Sequence, residues 1–254
     1  LEITEPFNMQ FIAKENQIKV IECNLRASRS FPFVSKVLKI NFIDIATRLM
    51  LGERVPRIDQ SSFDLDYVGV KASQFSFTRL KGSDPVMGVE MASTGEVACL
   101  GDDAEEAFLK SALSIGFRVP VKGILVSAGT IKNKAALLDE LKIFAQKGIP
   151  LFATKGTADF YAENGISMQK LFWPLDNEEP NILTFLEKRL VDLVINIPKT
   201  NDPFELENDY IIRRKAVDLN IPLITNTRFA IYFFSAVHKY AMNKLSIKHW
   251  DEYN

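Results

Sequence analysis

The chain has 254 residues, which is enough for one large domain or two domains of ordinary size. Hydrophobic residues make up 47% and charged residues 25%, a composition typical of a globular protein with a substantial core, and no apolar run is long enough to cross a bilayer. The formal net charge of −1 excludes an overall field that would attract nucleic acid or an anionic membrane, so we expect neither as a partner.

The cysteines and the first residues indicate the surroundings of the chain. Cys23 and Cys99 are too few for a disulfide framework, which favours a reducing compartment. The N-terminus lacks the basic and apolar regions of a secretory signal. Because the chain begins with Leu1 and enters a predicted strand almost at once, we expect it to be a fragment of a longer protein.

The first part of the chain mixes short strands with short helices. The spacing of apolar residues predicts strands at Asn8–Lys14, Gln17–Cys23, Tyr67–Lys71 and Glu90-Met91, and helices at Val34–Leu38, Phe42–Met50 and Ala104–Gly116. Gly52 follows the second of these helices and marks its end. We assign residues 1–120 to a first domain.

From Pro120 onward, strands alternate with helices. The predicted strands lie at Gly123–Ser127, Pro150–Thr154, Gln169–Phe172, Asp192–Ile197 and Pro222–Thr225. The predicted helices that follow them lie at Lys134–Lys147, Thr157–Asn164, Asn181–Leu190, Tyr210–Asn220 and Arg228–Lys239. This alternation predicts an α/β domain at residues 121–254, with a parallel sheet covered on both faces and a boundary between residues 118 and 123. We expect the polar tail from Lys244 onward to be frayed.

Polar and charged residues cluster where the second predicted strand ends. Side chains in a strand alternate between faces, so Glu22 and Asn24 point to the same side. They offer oxygen ligands of the kind that Mg²⁺ prefers, and Gln10 on the preceding strand adds a third. Arg26 and Arg29 follow at a spacing that lets them converge on one anion, and guanidinium groups suit phosphate and carboxylate. The alternative interpretation is an edge strand that runs into a solvated basic turn.

Longer stretches of sequence favour the first interpretation. The segment from Glu22 to Lys36 reads E-C-N-L-R-A-S-R-S-F-P-F-V-S-K and resembles the large chain of carbamoyl phosphate synthetase, at the metal end of an ATP-grasp module. Two further segments resemble motifs of the same family. They are N-M-Q-F from Asn8 to Phe11 and G-V-E-M-A-S-T-G-E-V from Gly88 to Val97.

The resemblance implies a reaction and roles for these residues. Carbamate would be phosphorylated by ATP to give carbamoyl phosphate, with Gln10, Glu22 and Asn24 holding Mg²⁺ or Mn²⁺ against the ATP phosphates. Arg26 and Arg29 would stabilise charge on the carbamate and the transferred phosphoryl group. In this family the lysine-bearing subdomain that covers the nucleotide lies upstream, so we expect the chain by itself to be inactive.

Two local features carry further expectations. Lys39 stands where the family usually has glycine, and we expect the positive φ of that position to have moved by a residue. His238 and His249 have no partner pattern, and we expect both at the surface.

The second domain should carry a ligand site beyond the carboxyl ends of its parallel strands. Ser127 ends the first of these strands, and Thr154-Lys155-Gly156-Thr157 lies between a strand and the start of a helix, where backbone N–H groups favour an anion. The alternative is that Thr157 only caps its helix after a glycine turn.

Three segments of this domain resemble the methylglyoxal-synthase-like domain that ends carbamoyl phosphate synthetase large chains. They are Phe152–Asp159, Asn196–Pro198 and Ile212–Ala216. The resemblance implies a Rossmann-like allosteric domain with its effector on the loop from Thr154 to Thr157. Methylglyoxal synthesis itself is not expected, because Leu175–Glu178 and Ser127–Gly129 replace the catalytic loop and the His-Asp pair of that synthase.

The resemblance leaves the effector open among N-acetylglutamate, phosphoribosyl pyrophosphate and a nucleotide such as UMP, IMP or UTP. Lys134, Lys155 and Lys199 would suit the phosphates of a nucleotide. Trp173, together with the two threonines and Asn196, is closer to members that sense N-acetylglutamate, which we favour slightly, although Lys199 replaces an asparagine of that group. Trp173 could pack an acyl chain or a base, or simply belong to the core.

We therefore interpret the chain as the C-terminal part of a carbamoyl phosphate synthetase. The alternative is a stand-alone small-molecule-binding module with a vestigial ATP-grasp portion. In the first case the partners are the rest of the synthetase chain and a glutaminase subunit or domain, and the location is the cytoplasm or the mitochondrial matrix.

Overall fold

A computed structural model describes residues 3, 6–86, 93–198, 202–240 and 245–253. The chain divides into two compact units, the first formed by residues 1–69 with 248–254 and the second by residues 70–247. None of the helices in these described stretches is both long and apolar enough to span a bilayer. The predicted strand at Glu90-Met91 lies outside the described residues.

The first unit contains a hairpin followed by two helices. Its elements are β1 (Asn8–Lys14), β2 (Gln17–Asn24), α1 (Phe31–Leu38) and α2 (Phe42–Met50), and β3 (Val68–Gln74) begins at its end. The chain reverses at Glu15 and Asn16, whose φ angles of 52° and 60° are those of a tight hairpin turn. The sequence therefore predicted the two strands and the two helices of this unit correctly to within a few residues.

The expectation for Lys39 was wrong. Lys39 itself adopts the left-handed conformation, with φ of 58°, and ends α1 there. The position keeps its backbone geometry without glycine. Contacts of the Lys39 side chain hold the residue in this conformation. Its ammonium group donates a hydrogen bond to the backbone oxygen of Tyr253 and lies 5.5 Å from the ring centre of Trp250.

The C-terminal tail is also more ordered than expected. Residues 250–252 form a 3₁₀ turn, and the indole N–H of Trp250 donates to the backbone oxygen of Lys36 at 2.9 Å. Tyr253 is buried, with its ring centre 5.6 Å from that of Tyr67. The prediction of a frayed tail fails for residues 248–253 because aromatic side chains hold them in the first unit.

The second unit contains the parallel sheet. In chain order its remaining elements are β4 (Gly95–Gly101), α3 (Ala104–Ser114), β5 (Ile124–Ala128), α4 (Ile131–Ala136), α5 (Leu138–Gln146), β6 (Leu151–Thr154), α6 (Lys155–Glu163), β7 (Gln169–Leu171), α7 (Ile182–Glu187), β8 (Leu193–Ile197), α8 (Pro203–Asp218), β9 (Leu223–Ile224) and α9 (Thr227–Lys239). β3 and β4 pair as a separate two-stranded sheet.

Five parallel strands form the main sheet in the order β7-β6-β5-β8-β9. Every residue of β5, β6 and β8 is buried, as expected of strands covered on both faces. The strand order reverses direction between β5 and β8, which is where ligands bind in open α/β sheets. The predicted α/β class with a parallel sheet is confirmed.

The compact units do not follow the predicted division at residue 120. α3 belongs to the second unit because its Leu109 and Ala112 are part of the same core as the sheet, and Phe108 packs its ring 5.1 Å from that of Phe229 on α9. The predicted boundary separates domains by their resemblance to a protein family, whereas the compact units are defined by contacts within the structure. The boundary at residue 120 therefore stays a prediction.

Two details of the second unit differ from the prediction. The helix predicted at Lys134–Lys147 is two helices, since Leu137 leaves helical geometry and is completely buried. α8 begins seven residues before the predicted Tyr210, because Asp202 caps it by accepting from the backbone N–H of Phe204 and Pro203 suits its first turn. Packing of Leu137 in the core explains the break between α4 and α5, and local capping by Asp202 explains the early start of α8.

His238 is not the surface residue that we expected. Its side chain is 12% exposed, and its Nε2 lies 3.1 Å from Oε2 of Glu140. Its Nδ1 lies 3.4 Å from the Nζ of Lys147, and its ring packs 4.5 Å from Phe144. Burial lowers the pKa of His238 and raises that of Glu140. His238 therefore joins α9 to α5.

Candidate functional site

The hairpin of the first unit gathers the predicted metal ligands on one face. Gln10 lies directly opposite Glu22 in the strand register, and Asn8 lies opposite Asn24. Residues directly opposite in an antiparallel pair project to the same side, as do Glu22 and Asn24 two residues apart. The structure therefore brings Gln10, Glu22 and Asn24 to one surface, as the sequence predicted, and adds Asn8.

The register of the hairpin also separates polar from apolar side chains. A bulge follows Gln10, and beyond it Phe11 pairs with Val20 and Ala13 with Ile18. Phe11, Ile18 and Val20 are all more than half exposed. The hairpin thus has a polar face that carries the candidate ligands and an apolar face on its other side.

The side chains of Glu22 and Asn24 are in contact. Nδ2 of Asn24 donates to Oε1 of Glu22 at 2.9 Å, which leaves the amide oxygen of Asn24 and the second carboxylate oxygen of Glu22 available as ligands. With the amide oxygen of Gln10, the donor set consists entirely of oxygen, as Mg²⁺ requires. The described residues include no group of three or more His, Cys, Asp or Glu side chains that could hold a metal ion, so a cation on this face would also need oxygen ligands from phosphate and water. The set therefore fits a hard cation shared with phosphate and water.

Arg26 and Arg29 lie in the turn between β2 and α1. Both side chains are exposed, and Nη1 of Arg26 donates only to the neighbouring backbone oxygen of Ala27, at 3.3 Å. No ion pair links either guanidinium to a described carboxylate. Both charges are therefore free to meet an anion from solution near the polar face.

Three buried hydroxyl side chains lie at the carboxyl ends of β5 and β6 and in the first turn of α6, and two of them are in contact. Ser127, Thr154 and Thr157 are all at least 95% buried. The hydroxyl of Thr154 donates to that of Thr157 at 3.3 Å, and Oγ1 of Thr157 lies 3.3 Å from the backbone nitrogen of Ala128. α6 begins at Lys155, so Thr157 lies inside its first turn. The interpretation of Thr157 as a helix cap is therefore wrong.

The start of α6 carries no side-chain cap among the described residues. Thr154 is the capping residue, but its hydroxyl makes no capping bond because it is directed to Thr157. The backbone N–H groups of this first turn keep the partial positive charge that attracts anions.

The predicted lysines take different positions. Lys134 lies at the end of α4, and its Nζ donates to the backbone oxygen of Gly156 at 2.7 Å, which brings a positive charge to the start of α6. Lys155 is exposed at the first position of the same helix. Lys199 lies outside the described residues.

Trp173 lies just beyond the end of β7 and is half-buried. Its ring packs against a cluster that includes Leu125, Phe152 and Leu171. Its backbone N–H donates to Asp176 at 2.9 Å, and its backbone oxygen accepts from Asn181 at 2.8 Å. One part of the ring thus belongs to the core while the rest is open to a ligand.

Asn196 is completely buried in a polar network at the end of β8. Its Nδ2 donates to Oδ1 of Asp209 at 2.7 Å, and its Oδ1 accepts from Nη1 of Arg213 at 2.8 Å. Ser127 also donates to Oδ1 of Asp209, at 3.3 Å. Burial raises the pKa of Asp209, although Asn196, Arg213 and Ser127 act against this. Asn196 thus organises the site rather than presenting a free amide.

Sequence reasoning did not assign a role to Asp209 or Arg213. They stand four residues apart on α8 and therefore share the helix face that covers the end of β8. The four-residue spacing could have predicted a role for both residues, because a carboxylate and a guanidinium on one face of a largely buried helix need partners.

Comparison with known proteins identifies the family of one domain, which lies within the second unit. Residues 136–225 match the family model described as an MGS-like domain. A crystal structure of methylglyoxal synthase from Elizabethkingia anophelis covers 52% of this chain and 91% of its own, with a TM-score of 0.35 and 16% identity, which is too distant to support an inference.

Curated relatives match along nearly the whole chain. Multifunctional protein pyr1-3 of Dictyostelium discoideum is 47% identical over 244 residues, which is 93% of this chain. Multifunctional protein CAD of Squalus acanthias is 46% identical over 251 residues, also 93% of this chain. The mitochondrial carbamoyl-phosphate synthase (ammonia) of Homo sapiens is 43% identical over 262 residues, or 99% of this chain.

The chain spans only part of these relatives, 11% of the first two and 17% of the human protein. The match nevertheless extends through both compact units, because it covers at least 93% of the chain. The chain therefore belongs to the carbamoyl phosphate synthetase family and corresponds to the C-terminal part of the large chain, including its methylglyoxal-synthase-like domain.

Proposed function

We propose that the chain works as the C-terminal part of an ATP-dependent ligase that makes carbamoyl phosphate from ATP, bicarbonate and either ammonia or glutamine. The observation that carries the proposal is the set of oxygen donors on the hairpin face, found in a chain that is 43% to 47% identical to such synthetases and multifunctional proteins. A vestigial module would have no reason to keep this set together with two arginines, which disfavours the stand-alone alternative.

Each residue of the first unit has a role in this proposal. Gln10, Glu22 and Asn24 would hold Mg²⁺ or Mn²⁺, which when bound neutralises charge on the ATP phosphates. Glu22 supplies the one negative charge of the set, and the hydrogen bond from Asn24 fixes its carboxylate. Arg26 and Arg29 would stabilise negative charge on the carbamate and on the transferred phosphoryl group.

The substitution Glu22→Ala in the synthetase that contains this sequence tests the proposal. Loss of the only carboxylate in the donor set should lower carbamoyl phosphate formation by about a hundredfold or more. Glu53→Ala is a matched control, because it removes an exposed carboxylate that pairs with Arg48 at 2.8 Å on the same unit. Turnover close to wild type in the Glu22 variant would contradict the assignment.

We further propose that the sheet end of the second unit binds a small anionic effector. The buried hydroxyls of Thr154 and Thr157, the uncapped start of α6 and the nearby Lys134 support an anion there. Lys155 and Trp173 lie at the same edge of the sheet, and Ser127 and Asn196 hold it together. Lys199 stays a prediction for this site. N-acetylglutamate remains slightly favoured over UMP, UTP and phosphoribosyl pyrophosphate.

A thermal-shift panel of these four compounds, repeated on Thr157→Ala, distinguishes the candidates. A ligand that binds only the folded state raises its stability by about 2.7 kcal/mol at a hundredfold excess over Kd. We expect one compound to raise the melting temperature of the wild type and to lose this effect in the variant. If none of them does, the effector assignment is wrong.

The proposal also concerns partners and location. The rest of the synthetase chain would complete the ATP site, and a glutaminase subunit or domain would supply ammonia where glutamine is the donor. The product would serve pyrimidine, arginine or urea synthesis, in the cytoplasm or the mitochondrial matrix. Cell fractionation and copurification of a glutaminase would test these points.

A further inference from the structure

We infer that residues 77–84, here called the 77–84 loop, sense the state of the effector site through α8. The inference rests on the proposed effector site and adds the element that responds to it. The loop follows β3 in the chain and precedes residues 85–86, within the second unit.

Arg214 and Tyr210 attach the loop to α8 by its backbone. Arg214 donates to the backbone oxygens of Phe77, Leu80 and Ser83 at 3.0 to 3.1 Å, and its side chain is 11% exposed. The hydroxyl of Tyr210 donates to the backbone oxygen of Gly82 at 2.9 Å. Four carbonyl groups of the loop are thus satisfied by side chains of one helix.

Arg213 joins the same loop to the buried polar network. Its Nε and Nη2 donate to the two carboxylate oxygens of Asp84 at 2.7 and 2.5 Å, and its Nη1 donates to Oδ1 of Asn196. The side chain of Arg213 is 3% exposed, whereas that of Asp84 is 41% exposed. One buried guanidinium therefore connects the end of β8 with a partly exposed residue of the loop.

The physical basis of coupling is the cost of leaving this charge unpaired. A buried guanidinium that loses a partner pays a large desolvation penalty, so Asn196 and Asp84 cannot shift independently of Arg213. Asn196 in turn shares Asp209 with Ser127, and the next residue, Ala128, ends β5 and contacts the hydroxyl of Thr157 through its backbone nitrogen at 3.3 Å. A ligand that rearranges the hydroxyls at the sheet end would change the position of α8 and the attachment of the loop. Arg213 and Arg214 are positioning residues in this scheme.

The coupling can first be tested without a ligand, by hydrogen exchange of the 254-residue chain. Asp84→Asn removes the charge from the loop end of the network, and we expect exchange at residues 127–129 and 196–198 to become about threefold faster or more. Tyr210→Phe, which removes one hydroxyl group, should act in the same direction if Asp84→Asn proves too unstable. Asp59→Asn is the control, because Asp59 forms an exposed pair with Arg57 and should leave these rates unchanged. Unchanged rates in both test variants would overturn the inference.

The second arm measures exchange with saturating UMP, UTP, phosphoribosyl pyrophosphate or N-acetylglutamate. We expect the compound that protects residues 154–157 also to slow exchange in residues 77–84 by about threefold or more, and Asp84→Asn to abolish only the second effect. Protection at 154–157 with no change at 77–84 would overturn the coupling and leave the effector site intact. Absence of protection at both places would reject the effector site and the coupling together.

Discussion

Single residues of the second unit show how charge and capping are combined. Asp103 caps α3 by accepting from the backbone N–H of Glu106 at 2.9 Å, and it also accepts from Lys239 at 2.9 Å and from the hydroxyl of Tyr240. Desolvation acts to raise its pKa, but the hydrogen bonds from Tyr240, Glu106 and Lys239 prevail and hold the pKa at about 2. The same contact raises the pKa of Tyr240 to about 12.

These pKa values predict how stability depends on pH. The pKa of Asp103 is lower in the folded chain than its ordinary 3.8, so its contribution is complete above about pH 4 and is lost as the pH falls toward 2. Asp103→Asn should therefore lower the free energy of unfolding at pH 7 by about 1 kcal/mol, and by less as the pH approaches 2. Urea unfolding at pH 7 and pH 3 measures this difference.

Glu163→Gln provides the control for this experiment, because Glu163 is exposed at the end of α6 and the change likewise converts a carboxylate into an amide. The control should unfold like the wild type at both pH values. A difference between wild type and Asp103→Asn that stays constant from pH 7 to pH 3 would contradict the role of the Asp103 charge.

At the scale of elements, two hydrogen bonds link the helices α4 and α6, which border the proposed effector site. Tyr161 of α6 is completely buried, and its hydroxyl donates to the backbone oxygen of Lys134 on α4 at 2.8 Å. Burial raises the pKa of this hydroxyl, so it stays a donor throughout the neutral range. The bond keeps Lys134 beside Gly156, where its charge faces the start of α6.

Tyr161→Phe should lower the free energy of unfolding by about 1 kcal/mol, because it removes a part-buried hydrogen bond while the carbonyl of Lys134 keeps its bond from the backbone N–H of Leu137. It should also weaken the thermal shift produced by the effector, since Lys134 would be less well positioned. Tyr232→Phe is the matched control, because Tyr232 is 39% exposed on α9. Equal stability of the two variants in chemical unfolding would refute the argument.

Most elements were predictable because they depend on local spacing, whereas their ends depend on contacts. The start of α8 could have been read from Asp202 and Pro203, and the break at Leu137 could not, because it reflects burial of that side chain against the sheet. Glu22 and Asn24 could be placed on one face by the strand period alone, and Gln10 by the turn at Glu15 and Asn16.

At the scale of the whole chain, the two units differ in what they can do unaided. Glu22 and Gln10 are exposed on the hairpin, and the apolar side chains on its other face are exposed as well. The proposed effector site, in contrast, consists of residues of the second unit alone, and Ser127, Thr154, Thr157 and Asn196 among them are buried.

We therefore expect the isolated chain to bind no Mg-ATP with micromolar affinity and to form no carbamoyl phosphate, because an exposed set of three ligands leaves the nucleotide mostly in water. Isothermal titration calorimetry with Mg-ATP measures this. An effector from the panel serves as the positive control, since its site should be intact in the same sample. Micromolar binding of Mg-ATP would show the expectation to be wrong.

The sequence by itself determined the alternating strands and helices, the family, and the polar face of the hairpin, because each depends on residues close together in the chain or on long motifs. Only the tertiary structure decided that Asn196 bonds Asp209 and Arg213, and that Arg213 reaches Asp84, 129 residues away. Such pairings depend on how helices pack on the sheet, and burial of the charges then leaves each group with few possible partners.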